Sequence, residues 1–192
     1  MKKYPLIKNI AVDVSSLLSI VHSCTPEICS SDESCCGSFQ VCVDGNELQQ
    51  ITGCMPMAAG YSEGLKSDDE YLNVFEKIEQ DLFSIDDDDS GVCVFAYRGG
   101  KEETLCSLHS TAIEMDYQPE EVKPKDCVLW PLALSEGDPL CLTIDDDAFL
   151  FQCNRSRSTE AAILDPGIAS IIKTLYGNDF LEEINEYIAR MK

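Results

Sequence analysis

The chain has 192 residues, 44% of them hydrophobic and 26% charged, with 35 acidic against 14 basic residues and a net charge of −21. That is enough chain for one domain with a real core, and the composition is that of a folded protein rather than a disordered one. The acidity disfavours nucleic acid and anionic membrane surfaces as partners, because both are bound by basic residues that displace counterions. It serves solubility, and its functional reading is a basic protein partner. No apolar run approaches the ~20 residues that a bilayer span needs.

The chain opens with MKKYPLIKNIAVDVSSLLSIVHSC, whose early lysines, apolar stretch and terminal cysteine faintly resemble a lipoprotein signal. Lys8 and Asp13 interrupt the stretch, VSSLLSIV is short for such a segment, and His22 is bulky where a small residue is wanted. The segment is therefore expected to belong to the fold, and the protein to be cytoplasmic. NIAVDVSSLL reads as a strand or short buried segment, and FQVCV as a strand. Asp44 is placed to cap a short helix, GNELQQITG. Ser67, Asp68, Asp69 and Glu70 fit a capping box, and Tyr71, Phe75, Ile78 and Leu82 then fall at helical spacing. This predicts an amphipathic helix ending near Phe83. The four aspartates at 86–89 read as a solvated turn, since a calcium loop wants alternating ligands and a bidentate Glu.

GVCVFAY, from Gly91, reads as a buried strand followed by a Gly-Gly turn. Cys106 opens a helical stretch, SLHSTAIEM. PLCLTI and AFLFQC, separated by Asp145, Asp146 and Asp147, read as a β-hairpin. Asp165 and Pro166 mark a helix start, Gly177 its end, and Asn178 the cap of a last helix. In that helix Phe180, Leu181, Ile184, Tyr187 and Ile188 form a broad apolar stripe suited to core packing.

Eleven cysteines are the outstanding feature of the composition. In a reducing compartment they point to metal before disulfides, and an odd number would leave one thiol over. Cys24, Cys29, Cys35 and Cys36 form a dense group, and Cys93, Cys106, Cys127 and Cys153 follow as distant single residues. Thiolates suit zinc or an iron–sulfur cluster, so these eight are the candidate metal ligands. Cys42, Cys54 and Cys141 lie in or beside apolar stretches and read as small buried hydrophobes. His109 stands three residues after Cys106, and His22 near Cys24; both are weaker candidates.

These residues resemble the YkgJ-type cysteine-cluster family, described as a putative zinc- or iron-chelating domain. The likeness rests on the cysteine group ending in Cys35 and Cys36, Glu47 and Leu48 on a short helix, Cys93-Val94-Phe95, Cys106-Ser-Leu-His, and KPKDCVLWP at 123–131. It covers roughly residues 10–155. The spacing before the double cysteine is longer than the family's compact CxxCxxCC pattern. The resemblance implies metal or cluster binding. Some relatives are linked to lysine methylation, but no Gly-rich loop for S-adenosylmethionine follows a strand here, so that activity is not carried over.

The expected architecture is α+β, a small cysteine-rich, metal-centred domain over 1–160 with short strands, and a C-terminal helical pair over 161–192 packed on it. Trp130 and Pro131 are expected to pack beside the metal. The expected function is chelation of zinc or an iron–sulfur cluster, or an iron–sulfur accessory part of a protein-modifying, methyltransferase-like enzyme. Two other classes stand beside it: a metal-free enzyme with a cysteine nucleophile and His109 as base, and an exported disulfide protein.

Overall fold

A computed structural model describes residues 4–25, 34–35, 40–62, 65, 71, 73–89, 91–101, 103–135, 137–158 and 161–191. In chain order the elements are β1 (Leu6–Ile7), β2 (Ile10–Val12), α1 (Val14–Leu18), β3 (Ile20–His22), β4 (Cys42–Asp44) and α2 (Gly45–Ala58). Next come β5 (Phe75–Glu79), β6 (Leu82–Ile85), β7 (Ala96–Arg98), β8 (Thr104–Cys106), α3 (Ser107–Glu114) and α4 (Lys125–Leu129). The chain closes with β9 (Leu132–Ser135), β10 (Cys141–Ile144), β11 (Asn154–Ser156), α5 (Pro166–Tyr176) and α6 (Asn178–Arg190). The mixture is α+β.

These elements divide into two units. One is made by the two chain ends, residues 1–24 and 129–192; the other is the central run, residues 25–128. The C-terminal helices expected to pack on a domain over 1–160 belong to the end unit, with the first strands of the chain.

In the end unit the sheet order is β1-β2-β10-β9. β10 runs antiparallel to β9 and parallel to β2, and a separate ribbon pairs β11 antiparallel with β3. The expected hairpin between PLCLTI and AFLFQC does not form. β10 finds its partners at Leu132–Ser135 and Ile10–Val12, while Ala148–Leu150 is a single 3-10 turn. Burial explains the choice: Val12 and Leu142 are fully buried, whereas Phe149 and Leu150 face solvent. Asp165 caps α5 by accepting the Gly167 N–H at 2.9 Å, and also accepts the His22 N–H at 3.2 Å, which ties α5 to β3. Gly167 lets the two backbones meet, since a Cβ there would stand 2.5 Å from the His22 carbonyl oxygen. Gly177, at φ 84°, turns the chain from α5 into α6. Phe180, Ile184 and Ile188 bury one stripe of α6, as their spacing requires. The N-terminal segment is part of the fold: Val12 and Leu17 are fully buried.

In the central unit, β4-β6-β5 form one antiparallel sheet and β7-β8 a ribbon. The Asp44 carboxylate accepts the N–H groups of Asn46 and Glu47 at 2.8 and 2.9 Å, and Glu47 returns an acceptor to the Asp44 N–H at 3.1 Å. This reciprocal cap starts α2, which runs on through Pro56 beyond the expected short helix. The amphipathic helix expected over 71–83 is instead the β5–β6 hairpin; its proposed cap at 67–70 lies outside the described residues. Tyr71, Phe75, Ile78 and Leu82 share a helical period, but the β5 face is largely exposed and Ile78 points to water. Pairing with β6, itself paired to β4, overrides the period. The core under these strands joins Val43, Ile51, Met55, Val94, Phe95 and Leu108.

Candidate ligand cleft and the cysteine positions

Among the described residues the cysteines do not form the expected metal group. Cys29 and Cys36 lie outside the described residues. Cys24 is exposed at the edge of the end unit, and Cys153 is buried in that unit, where its carbonyl accepts the Ser23 N–H at 2.9 Å. Cys35, Cys93, Cys106 and Cys127 belong to the central unit. The last three pack against its apolar core together with Cys54. No disulfide joins two of the described cysteines. Among the described residues there is no group of three or more His, Cys, Asp or Glu side chains placed to hold a metal ion. The expected function, chelation of zinc or an iron–sulfur cluster, is therefore corrected. The physical reason is that the fold disperses them: Cys24 and Cys153 lie in the end unit, Cys106 stands at the start of α3 and Cys127 within α4, and Cys93, Cys106 and Cys127 pack against an apolar core. Trp130, expected beside the metal, stands edge-on to Phe151 at 5.0 Å.

Thiol and imidazole chemistry follow the same pattern. Burial is the main cause that pushes the Cys42, Cys54 and Cys141 thiols upward; Asp126 adds to it at Cys42 and Asp13 at Cys141. Raised thiols hold back thiolate, the opposite of what a nucleophile requires. His109 is lowered, by burial first and by the Lys123 cation second, so it favours the neutral imidazole.

The central unit carries a half-open cleft of about 390 Å³. Tyr61 and Ser62, just past α2, form one side; Val94, Ala96, Tyr97 and Arg98 form another; Asp88 and Cys93 complete it. The Tyr61 and Tyr97 rings stand 5.6 Å apart and tilted by 34°. Both hydroxyls are anchored, Tyr61 to the Glu114 carboxylate and Tyr97 to Ser110 at 2.7 Å. The Tyr61 phenol is raised by that hydrogen bond first and by burial next. Ser62 donates to the Val94 carbonyl at 2.7 Å and so ties the two sides together. Asp88 accepts the Val92 N–H at 3.1 Å, and Arg98 donates to Thr104 at 3.1 Å.

Asp88 lines this cleft from a turn, 86–89, pinned by its backbone. The Val94 N–H reaches the Asp86 carbonyl at 3.1 Å, and the Asp88 N–H reaches Val92 at 2.7 Å. Burial first, then the charges of Asp88 and Asp86, hold the Asp87 carboxyl above its ordinary value. The sequence gives no sign of the cleft. Tyr61 follows a helix, Asp88 lies in an acidic turn and Tyr97 ends an apolar run, and only the fold brings them together.

No family model, no curated protein and no solved structure matches the chain. The resemblance to the cysteine-cluster family thus rests on residue spacing alone.

Proposed function

We propose that this protein is a cytoplasmic interaction protein that holds a basic segment of a protein partner on its acidic surface. The observation that carries the reading is charge that cannot be satisfied internally: 35 carboxylates face only 14 lysines and arginines. Many of the described acids stand at the surface. Asp87, Asp88 and Asp89 are exposed in the central unit, and Asp146, Asp147, Glu182, Glu183 and Glu186 in the end unit. Ion pairs such as Lys8 with Asp179 at 3.7 Å and Arg190 with Glu186 at 3.6 Å are themselves solvent-exposed and neutralise little. A field of this sign attracts cations, speeds their encounter and repels nucleic acid. No helix among the described residues is long and apolar enough to cross a membrane.

The test is where the charge acts. The aspartates at 86–89 are replaced together by asparagine, and in a second variant Glu182, Glu183 and Glu186 by glutamine. Titration with a Lys/Arg-rich peptide should weaken for at least one of the two, while an acidic peptide binds none of the forms. Equal affinity of wild type and both variants would overturn the reading.

A further inference from the structure

Building on the basic-partner reading, we infer that the basic segment is held in extended form, as an added strand along the β5 edge of the central unit's sheet. The sheet order is β4-β6-β5, so β4 and β5 are its edges. β4 has three residues and passes at once into α2. β5 has five, and Glu76, Lys77, Ile78 and Glu79 are all exposed. The Asp86 N–H donates to the Val74 carbonyl at 3.0 Å, and in the same register Phe75, Glu76 and Lys77 lie opposite Ile85, Ser84 and Phe83. Antiparallel pairs alternate between hydrogen-bonded and non-hydrogen-bonded, so Val74 and Glu76 turn their backbone groups to β6, while Phe75 and Lys77 turn theirs outward. Among the described residues no hydrogen bond reaches those outward groups. The bulge between Lys77 and Glu79 comes only after them. An exposed row of backbone donors and acceptors is a template for a further strand.

The edge also selects its occupant. Phe75 stands against Phe95, ring centroids 6.2 Å apart, and the Lys77 ammonium lies 6.0 Å over the Phe83 ring of the neighbouring strand, turned onto its own sheet. The other charges along the edge are exposed carboxylates: Glu76 and Glu79 on β5, Asp81 in the turn to β6, and Asp87 and Asp89 beyond the end of β6. Alternate side chains of an added strand share one face, so lysines or arginines two residues apart are presented together to this border. Ile78, 51% exposed, offers apolar contact beside them. A second copy would bring the same carboxylates and its own net charge of −21 against the edge, so the fitting occupant is a basic segment of another protein.

The experiment titrates the full chain, Lys77→Ala and Lys77→Pro into a labelled peptide of alternating lysine and valine, read by fluorescence anisotropy. Both variants remove one cation from an acidic border, so charge alone predicts that both bind at least as tightly as wild type. Proline also removes an outward N–H and sets its ring on the edge, while the ladder to β6 keeps its donors. Lys77→Pro should therefore bind about tenfold or more weaker than Lys77→Ala, the loss expected when backbone hydrogen bonds are blocked. A second arm does not depend on how Lys77→Pro folds. The same peptide N-methylated throughout keeps its charge and loses its donors, and it should bind wild type about tenfold or more weaker than the parent peptide. If Lys77→Pro matches Lys77→Ala and the methylated peptide matches its parent, the added strand is overturned and the basic-partner reading stands. Absence of binding to every form overturns both. Self-association of the wild type that Lys77→Pro abolishes would give the edge to a second copy and would also overturn the inference.

Discussion

The end unit and the central unit are built from the same kinds of short element, yet they are held differently. In the end unit, helix signals in the sequence coincide with the long-range contacts. Asp165 caps α5 and also binds β3, Gly177 turns the chain, and the α6 stripe is the core. In the central unit the local signals divide. The Asp44 cap acts as its sequence says, but the helical period after it yields to a hairpin, and cysteines expected as ligands pack partly buried against the core. Periodicity is decisive where it agrees with burial and misleading where strand pairing offers the backbone a better partner.

The largest expected effects fall in the two cores. Phe180→Ala removes a ring that is 1% exposed and stacked on Tyr176 at 4.9 Å. It should cost about 3–5 kcal/mol by urea unfolding, and Met55→Ala in the central core about 2–5 kcal/mol. A loss below about 1 kcal/mol at Phe180 would break the claim that the α6 stripe is core. Next is Gly167→Ala, where the new Cβ meets the His22 carbonyl. About 1–3 kcal/mol is expected from overpacking, against near neutrality if β3 and α5 can part.

The helix caps sharpen the comparison further. Asp44→Ala should cost about 1 kcal/mol, the usual value of a cap. Asp165→Ala should cost more, because it also strands the His22 N–H. Equal losses would mean that the link to β3 contributes nothing.

The smallest effect is a pH dependence. Burial first and the Glu47 charge second hold the Asp126 carboxyl above its ordinary 3.8, with Lys125 opposing. Unfolded, the group ionises near 3.8; folded, it keeps its proton to higher pH. Its contribution to stability is complete below the unfolded value and is lost as pH rises through the folded one. Asp126→Asn should therefore stabilise more at neutral pH than in mild acid, measured as thermal midpoints; the same shift at both would contradict the raised value.

These cases mark what was legible in the sequence. Asp44, Asp165 and Gly177 could be read because a cap is a short-range hydrogen bond between near neighbours. The partners of β10 could not, because Leu132–Ser135 and Ile10–Val12 are chosen by which faces become buried. The cleft was invisible for the same reason, since residues 61, 88 and 98 have no spacing rule in common. The cysteines were visible but ambiguous: a thiol at an element end reads alike as a ligand and as a small apolar side chain.

The most direct test of the proposed role is fluorescence anisotropy of a labelled Lys/Arg-rich peptide with the full chain at about 0.15 M ionic strength, where the Debye length is about 8 Å and diffuse attraction between exposed charges is largely screened. The account predicts saturable binding with a fixed stoichiometry that weakens steadily as salt is raised further. Binding that never saturates, or that is absent under these conditions, would mean that the charge serves solubility alone and would contradict the account.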